Sequence, residues 1–434
     1  MLSAFAVPVL VAAAATSAAE PGAHLSLHDA VGMALQHAFS ARIAEYKETS
    51  ADAKVAEARV AFLPDLSADY SENRYDDSLR GIARAAGVSS SGRETEADLN
   101  AQYTLISSTR RLNLKAAQLA RESQQGQTES AKRQVIRDTA RAYLQVVQAD
   151  ALLHLAEQDV ARRQRHREEA EALVKAGKRA EYEVIRADAD LAAAEAQRVD
   201  AKNAARTARS TLAQTVGAAL PLDFVAESPA PPVDPRTEKK SQVAPELIRD
   251  SLNRRADVKA AEDDAESARV GVERQRRAYL PTVSLFARYT KYPNPGPTDF
   301  VDSQFMYGGQ ITIRFSDMLT NAWRERDARA QARLQAVVAD QTRVAVSLDV
   351  ERAMLEVDRA VEVKASVEKS LAAAQRNYET AAERYRLGVA SQTEQIDAEV
   401  TLVSAEADAA KADVGLRTAL WNLRYEMGES LDVL

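Results

Sequence analysis

No cysteine occurs in this chain, which excludes disulfides, thiol chemistry and lipid attachment through an N-terminal cysteine. Aromatic residues make up only 5% of its 434 residues, with 15 glycines and 13 prolines. Alanine, glutamate, arginine and glutamine fill the space instead, the mixture of long helices and coiled coils rather than of compact globules. There is no basic excess: the formal net charge is −7, which argues against a nucleic-acid binder. The five histidines (His24, His28, His37, His154, His166) lack metal-ligand spacing, and no glycine-rich phosphate loop or nucleophile motif is present. The sequence therefore reads as neither an enzyme nor a cofactor or metal carrier. Long apolar runs are missing too, apart from Met1 to Ala19, an uncharged Ala/Val-rich stretch ending in Ser17-Ala18-Ala19 before Glu20. Residues 1–19 fit a signal peptide with a small-residue cleavage site. A transmembrane anchor is the alternative, weakened by Pro8 and by a run that is mostly alanine.

What is present is a pattern made twice. Tyr385 to Asp397 (YRLGVASQTEQID) joins two heptad-patterned segments. Gly388 suits the left-handed position past a helix end, and Ser391 reads as the N-cap of the outgoing helix, with Glu394 completing a capping box. About 211 residues earlier, Val174 to Arg186 (VKAGKRAEYEVIR) turns at Gly177, again with a glutamate, Glu183, six residues on. Both stretches read as tips of antiparallel helical hairpins, and the chain as a tandem repeat. The first repeat is placed at 20–219, a proline-rich connector at 220–245, and the second repeat at 246–434.

Each repeat opens with a helix, 27–62 with Ser26 as N-cap and 255–278, ended by Leu63-Pro64 and Leu280-Pro281. The period then falls from 3.6 to 2. Leu66, Ala68 and Tyr70 alternate with Ser67, Asp69 and Ser71; Leu99, Ala101, Tyr103 and Leu105 alternate with Asn100, Gln102 and Thr104. In the second repeat Val283, Leu285, Ala287 and Tyr289 alternate with Ser284, Phe286 and Arg288, then Ile311, Ile313 and Phe315 with polar neighbours that include Arg314. Four strands of about nine or ten residues are long enough for a tilted crossing of an outer membrane. Leu66, Tyr103, Leu285 and Ile311 would face lipid, and Asp69, Arg288 and Arg314 a wet lumen. Four strands cannot close a barrel, and open edges are not tolerated in lipid, so a spanning chain must oligomerise; three copies give twelve strands and leave an opening. Long helices follow each strand pair, 110–176 and 321–387, on the order of 100 Å each. Their seams run at alternating spacings of four and three, through Val346, Val350, Ala353, Val357, Ala360 and Lys364 to Tyr378 and Tyr385, and through Val135, Thr139, Ala142 and Val146 to Arg163, Arg167 and Val174. The return helix from Thr393 carries two apolar stripes, hence two neighbours.

The doubled order of helix, Leu-Pro, strand, loop, strand, long helix, glycine tip and helix resembles the TolC family of outer-membrane efflux ducts. Ala58-Arg59-Val60-Ala61-Phe62-Leu63-Pro64, Tyr385-Arg386-Leu387-Gly388 with Ser391, and Gly428 near the end of the last helix carry the likeness. The resemblance implies an α+β membrane protein: a homotrimer with a 12-stranded β-barrel in outer-membrane lipid, continued by a periplasmic α-helical coiled-coil barrel, with the connector as an equatorial belt. It implies passive export for an inner-membrane pump (RND, ABC or MFS type) joined through a periplasmic adaptor, as in efflux or type I secretion. Leu387, Gly388 and Ser391 match the adaptor-contact motif, with Val174 and Gly177 as first-repeat equivalents. Glu394, Asp397 and Glu183, together with Tyr385 and with Arg186 in place of an acid, fall where relatives line the closed mouth. A periplasmic coiled-coil adaptor or a structural scaffold is the alternative, and the paired strands argue against both.

Overall fold

A computed structural model describes residues 24–74, 93–221, 224–230, 232, 234, 244–294, 302–313, 316–387 and 389–429. The signal-peptide stretch, Gly388 and Arg314 lie outside the described residues. After a short strand β1 (His24–Leu25) come helices α1 (Leu27–His37) and α2 (Phe39–Val60), strands β2 (Asp65–Arg74) and β3 (Arg93–Ile106), and helices α3 (Arg110–Lys175) and α4 (Tyr182–Val216). Strand β4 (Val225–Ala226) leads to a second series: α5 (Ala244–Arg254), α6 (Ala256–Arg277), β5 (Thr282–Asn294), β6 (Ser303–Thr312), α7 (Ser316–Arg386) and α8 (Gln392–Glu426). Two helices, two strands, a long helix and a shorter one thus occur twice in the same order. Two compact units form: one of Met1–Arg42, Ala131–Arg254 and Ser347–Leu434, the other of Ile43–Ser130 and Arg255–Val346, so each unit draws on both halves of the chain.

The second unit holds a four-stranded antiparallel sheet in the order β2-β3-β5-β6, with β2 and β6 at its open edges. The register sets the alternating residues in rows. Leu66, Ala101, Ala287 and Tyr307 form one, and Ala68, Leu99, Tyr289 and Phe305 the next. This apolar face is open, with Leu66 70% and Ile311 69% exposed. The opposite face is polar and bonded across strands. Asn100 Nδ2 donates to Asp69 Oδ2 at 3.2 Å, Arg288 Nε donates to Asn100 Oδ1 at 2.6 Å, and the Thr290 hydroxyl donates to Asp98. Phe286 breaks the alternation, its ring lying where a side chain at Gly308 would go. Strands β3 and β5 are longer than the pattern suggested, with 14 and 13 residues. The prolines Pro293, Pro295 and Pro297 predict a loop from Tyr292 to Ser303, and this is corrected in part: β5 runs through Pro293 to Asn294. A register shift opposite Thr95 to Ala97 makes room for a residue that donates no ladder bond.

The helices of this unit are neighbours in the same order as the strands. The Thr128 hydroxyl on α3 donates to the Ala44 carbonyl of α2 at 3.2 Å. Gly126 lets α3 approach α6 so closely that a Cβ there would sit 2.7 Å from the Ala256 oxygen. On α7, Arg343 reaches Glu262 of α6.

In the first unit, a core of Leu27, Val31, Val135, Tyr143, Leu144, Val146, Leu212 and Val216 is closed by the parallel pairing of β1 with β4. The Tyr143 hydroxyl lies 2.6 Å from the Leu25 oxygen and 2.8 Å from the Glu227 oxygen, and burial pushes its pKa up to about 12. A second core joins Leu247 of α5 to Val350, Ala353 and Val357 of α7 and to Leu420 and Leu423 of α8. Both heptad seams are buried or half-buried, with the charged Arg163 buried and Arg167 and Lys364 half-buried. The expected single helix over 27–62 is corrected: it breaks at Ala38, where ψ is 128°. Arg255, 217 residues later, breaks the second series with ψ 123°. Nothing in the local sequence demands the first break; Gly217 of α4 packs directly on the His37 oxygen and Ala38. Ser26 caps α1 as read, accepting from the Asp29 amide. Among the described residues no helix is long and apolar enough to cross a membrane.

Candidate functional site

The hairpin tips lie in the first unit, and the chain ends both incoming helices in one way. Gly177 has φ +73°, the left-handed region, and the Lys178 amide donates back to the Leu173 oxygen at 3.0 Å. At the second tip the Val389 amide donates to the Arg384 oxygen at 2.9 Å, the same bond 211 residues on. The outgoing helices differ. Ser391 caps α8 by accepting from the Glu394 amide at 3.2 Å. Glu394 does not turn back to complete the capping box; its carboxylate pairs with Arg384 of α7. At the first tip Ala180 stands where the second has Ser391. Helix α4 begins five residues after its glycine, one later than α8, with no side-chain cap.

The expected mouth residues are separated too. Glu394, Asp397 and Arg186 are exposed, while Glu183 is buried, with 5% of its surface open, and pairs with Arg179 at 3.5 Å. The expectation that Glu183 shares a surface with Glu394 and Asp397 is therefore corrected. Tyr385 is also inside, its ring 5.2 Å from the Arg179 guanidinium and 6.0 Å from the His166 ring. Arg186 Nη1 donates to Thr393 Oγ1 at 3.0 Å and so ties the two hairpins together. The expected contact positions Leu387, Gly177 and Ser391 are exposed, Leu387 at 68%, and Val174 is half-buried.

Behind the tips is a buried polar layer that sequence reasoning missed. Glu399 of α8, 3% exposed, lies 3.5 Å from Arg163 and 3.9 Å from Arg162 of α3. Arg163 also faces Asp159 at 3.6 Å, and Arg162 reaches Glu406 at 3.2 Å. His166 meets Gln392 at 3.1 Å. Burial pushes the Glu399 carboxyl up, against the pull of Arg163 and Arg162, and pushes the His166 imidazole down. A cleft of about 1090 Å³ opens beside this layer, lined by Arg162, His166, Arg179, Tyr385, Gln395 and Glu399 among others. The signal was present: charged Arg163 and Arg167 sit at heptad positions that would ordinarily be apolar, as Lys364 does on α7, where it meets Asp413 at 2.7 Å.

Such an arrangement holds two hairpins together by paired charges, an interaction that side-chain motion can undo without unfolding a helix. Among the described residues no group of His, Asp and Glu could hold a metal ion.

Comparison with known proteins gives these features a context. Protein CyaE of Bordetella pertussis is 27% identical over 356 residues, covering 80% of this chain and 71% of its own. The outer-membrane channel OprN superposes with a TM-score of 0.74 at 22% identity, covering 94% of this chain and 90% of that one. The open-state Neisseria gonorrhoeae MtrE outer membrane channel gives 0.75 at 21%, covering 93% and 89%. The family model described as outer membrane efflux protein matches residues 30–218 and again 247–429. That match covers most of both halves and displaces the adaptor and scaffold alternatives: the chain belongs to the outer membrane efflux protein family, and is an outer-membrane channel component rather than an adaptor.

Proposed function

We propose that three copies close their sheets into one twelve-stranded barrel and act as the exit duct of a tripartite efflux or type I secretion system. The observation that carries this reading is the sheet. It is apolar and exposed on one face, polar and cross-bonded on the other, and unpaired at both edges. In lipid such edges must be closed, and another copy's β2 meeting β6 closes them. The flanking helices agree. On α2 the exposed residues Ile43, Tyr46, Ser50, Ala53 and Val60 follow a heptad, and on α7 Leu334, Val337, Gln341 and Val344 do the same. These unpartnered stripes lie on the helices joined to the two edge strands, so one copy's α7 stripe has the next copy's α2 stripe to pack on. The repeated element order supports two tandem repeats joined by the 220–245 connector, and residues 1–19 serve as the export signal.

The tips are the duct's periplasmic end. Val174, Gly177, Leu387, Gly388 and Ser391 present the surface for an adaptor joined to an inner-membrane pump. Glu394 and Asp397 supply acidic rings at the mouth. Glu183 acts from behind, holding Arg179 against Tyr385, and Arg186 links the hairpins. Native mass spectrometry of detergent-extracted protein tests the assembly: a three-copy mass with a β signature is expected, and a stable detergent-free monomer overturns the reading.

A further inference from the structure

All four junctions between strand and helix lie at one end of the sheet, because Asp65 pairs with Gln102, Ile106 with Val283 and Thr282 with Thr312. Residues 57–65, 106–113, 273–282 and 312–333, which hold these junctions and, in the last case, run on along α7 to Arg333, contain eleven arginines, no lysine and six carboxylates. In a chain whose net charge is −7, this is a local reversal of sign.

Part of it has an ordinary cause. Arg276 and Arg329 both reach Glu325, Arg277 reaches Glu273, and arginines in the last turn of α6 suit its C-terminal dipole. Others do not fit that account. Helix α3 opens with Arg110 and Arg111 and no acid in its first turn, the wrong sign for a helix N-terminus. Arg110 is used internally: it donates to the Thr104 oxygen at 2.8 Å and stacks on Phe62. Arg111 and Arg324 are exposed and have no hydrogen-bond or ion-pair partner among the described residues. Beside them stand exposed apolar groups: Leu63, Leu280 and Trp323, the last with Arg326 stacked 4.9 Å over its ring.

We infer that this end of the sheet is a collar for the phosphates of anionic lipid in the periplasm-facing leaflet. The inference rests on the barrel reading above, which puts the exposed apolar face in the bilayer and the helices beyond it. The collar continues that apolar face directly, through Ile106 and Ile311, into arginines whose planar fork matches a phosphate's oxygens. Trp323 with Arg326 has the form of an interfacial anchor, an amphipathic ring at headgroup level with a cation beside it. An arginine set against the α3 dipole is stabilised once a lipid phosphate sits next to it.

The test uses the full-length protein in vesicles of phosphatidylcholine with phosphatidylglycerol as the minor component. Flotation first reports insertion; native mass spectrometry then reports which lipid stays bound after detergent release. Wild type should retain phosphatidylglycerol in preference to phosphatidylcholine. Arg111→Gln with Arg324→Gln should lower that preference about fivefold for each arginine removed. Arg198→Gln, the same charge change on α4 outside the collar, should leave it unchanged, and excess inorganic phosphate should not displace the lipid. If wild type floats but shows no headgroup preference, or if Arg198→Gln acts as strongly as the collar variants, the collar is overturned while the barrel stands. Failure to float overturns the barrel reading itself.

Discussion

Replacing Glu399 with leucine removes the carboxylate at the centre of the buried layer and leaves two guanidinium groups facing it. Loss of one partner from a buried ion pair costs about 3–5 kcal/mol. Here the cost is smaller. The separations of 3.5 and 3.9 Å are long, Arg163 keeps Asp159 at 3.6 Å, and Arg162 keeps Glu406 at 3.2 Å. The raised pKa of Glu399 also means that its ionised form already opposes burial. About 2–3 kcal/mol remains for the packing of one hairpin on the other, which shifts the ratio of separated to packed tips by about 30- to 150-fold. Because the chain has no native cysteine, Arg186→Cys and Thr393→Cys give spin-label sites free of background, at positions whose side chains touch at 3.0 Å. Wild type should give one short distance, and Glu399→Leu should add a longer population. Glu399→Gln, which keeps the shape and a hydrogen-bonding group, should fall between. An unchanged distribution in the leucine variant would refute the view that this layer holds the hairpins together.

The same label pair reads pH. Burial lowers the His166 pKa despite Glu169, Asp190 and Glu183 nearby, so the packed form loses stability as pH falls below the usual imidazole range. Glu399, raised by burial, acts oppositely: its contribution is full below the ordinary carboxylate range and is lost as pH rises through its raised value. The two responses oppose each other, so the His166 part is read by difference: His166→Gln tips should stay packed more than wild type as pH falls through the imidazole range, and an equal slope in both would assign the effect to other groups. Gly177→Val places a branched residue at φ +73° and should destabilise the first tip by about 1–2 kcal/mol, read as loss of adaptor-dependent export with normal outer-membrane levels. Tyr143→Phe should cost about 1 kcal/mol, read as a lowered Tm, because its hydroxyl links α3 to the Leu25 carbonyl of β1 and the Glu227 carbonyl just past β4. Glu394→Gln with Asp397→Asn should weaken cation preference in planar bilayers at low salt, where screening cannot mask acidic rings; identical reversal potentials would reduce these carboxylates to surface charges.

Much of the architecture was legible because it depends on periodicity. Heptads at Val346 to Tyr385, the fall to period 2 after Leu63-Pro64 and Leu280-Pro281, and glycine at the hairpin tips each follow from local backbone chemistry and side-chain spacing. So do the long helices, whose C-terminal ends at Lys175 and Arg386 lie within a residue of the expected ones, although α7 starts at Ser316, five residues before the expected 321. The sequence also determined which face of each strand is apolar, since alternation is fixed once a segment is extended. Tertiary structure decided the rest. At the break at Ala38 the chain meets Gly217, about 180 residues away in sequence, where the absence of a side chain permits the close approach. That β3 rather than β2 joins the two halves is a matter of pairing between segments of equal pattern, which no single strand encodes. The tips differ at their caps, Ala180 standing where Ser391 caps α8, and in burial, Glu183 lying inside where Glu394 is exposed. Likewise Arg163 reads as a charged irregularity in one heptad seam, and nothing in the sequence links it to Glu399 or His166. Only the packing of α3 against α8 puts them within reach of one another, and a buried charge is tolerable only where its partner arrives from another helix.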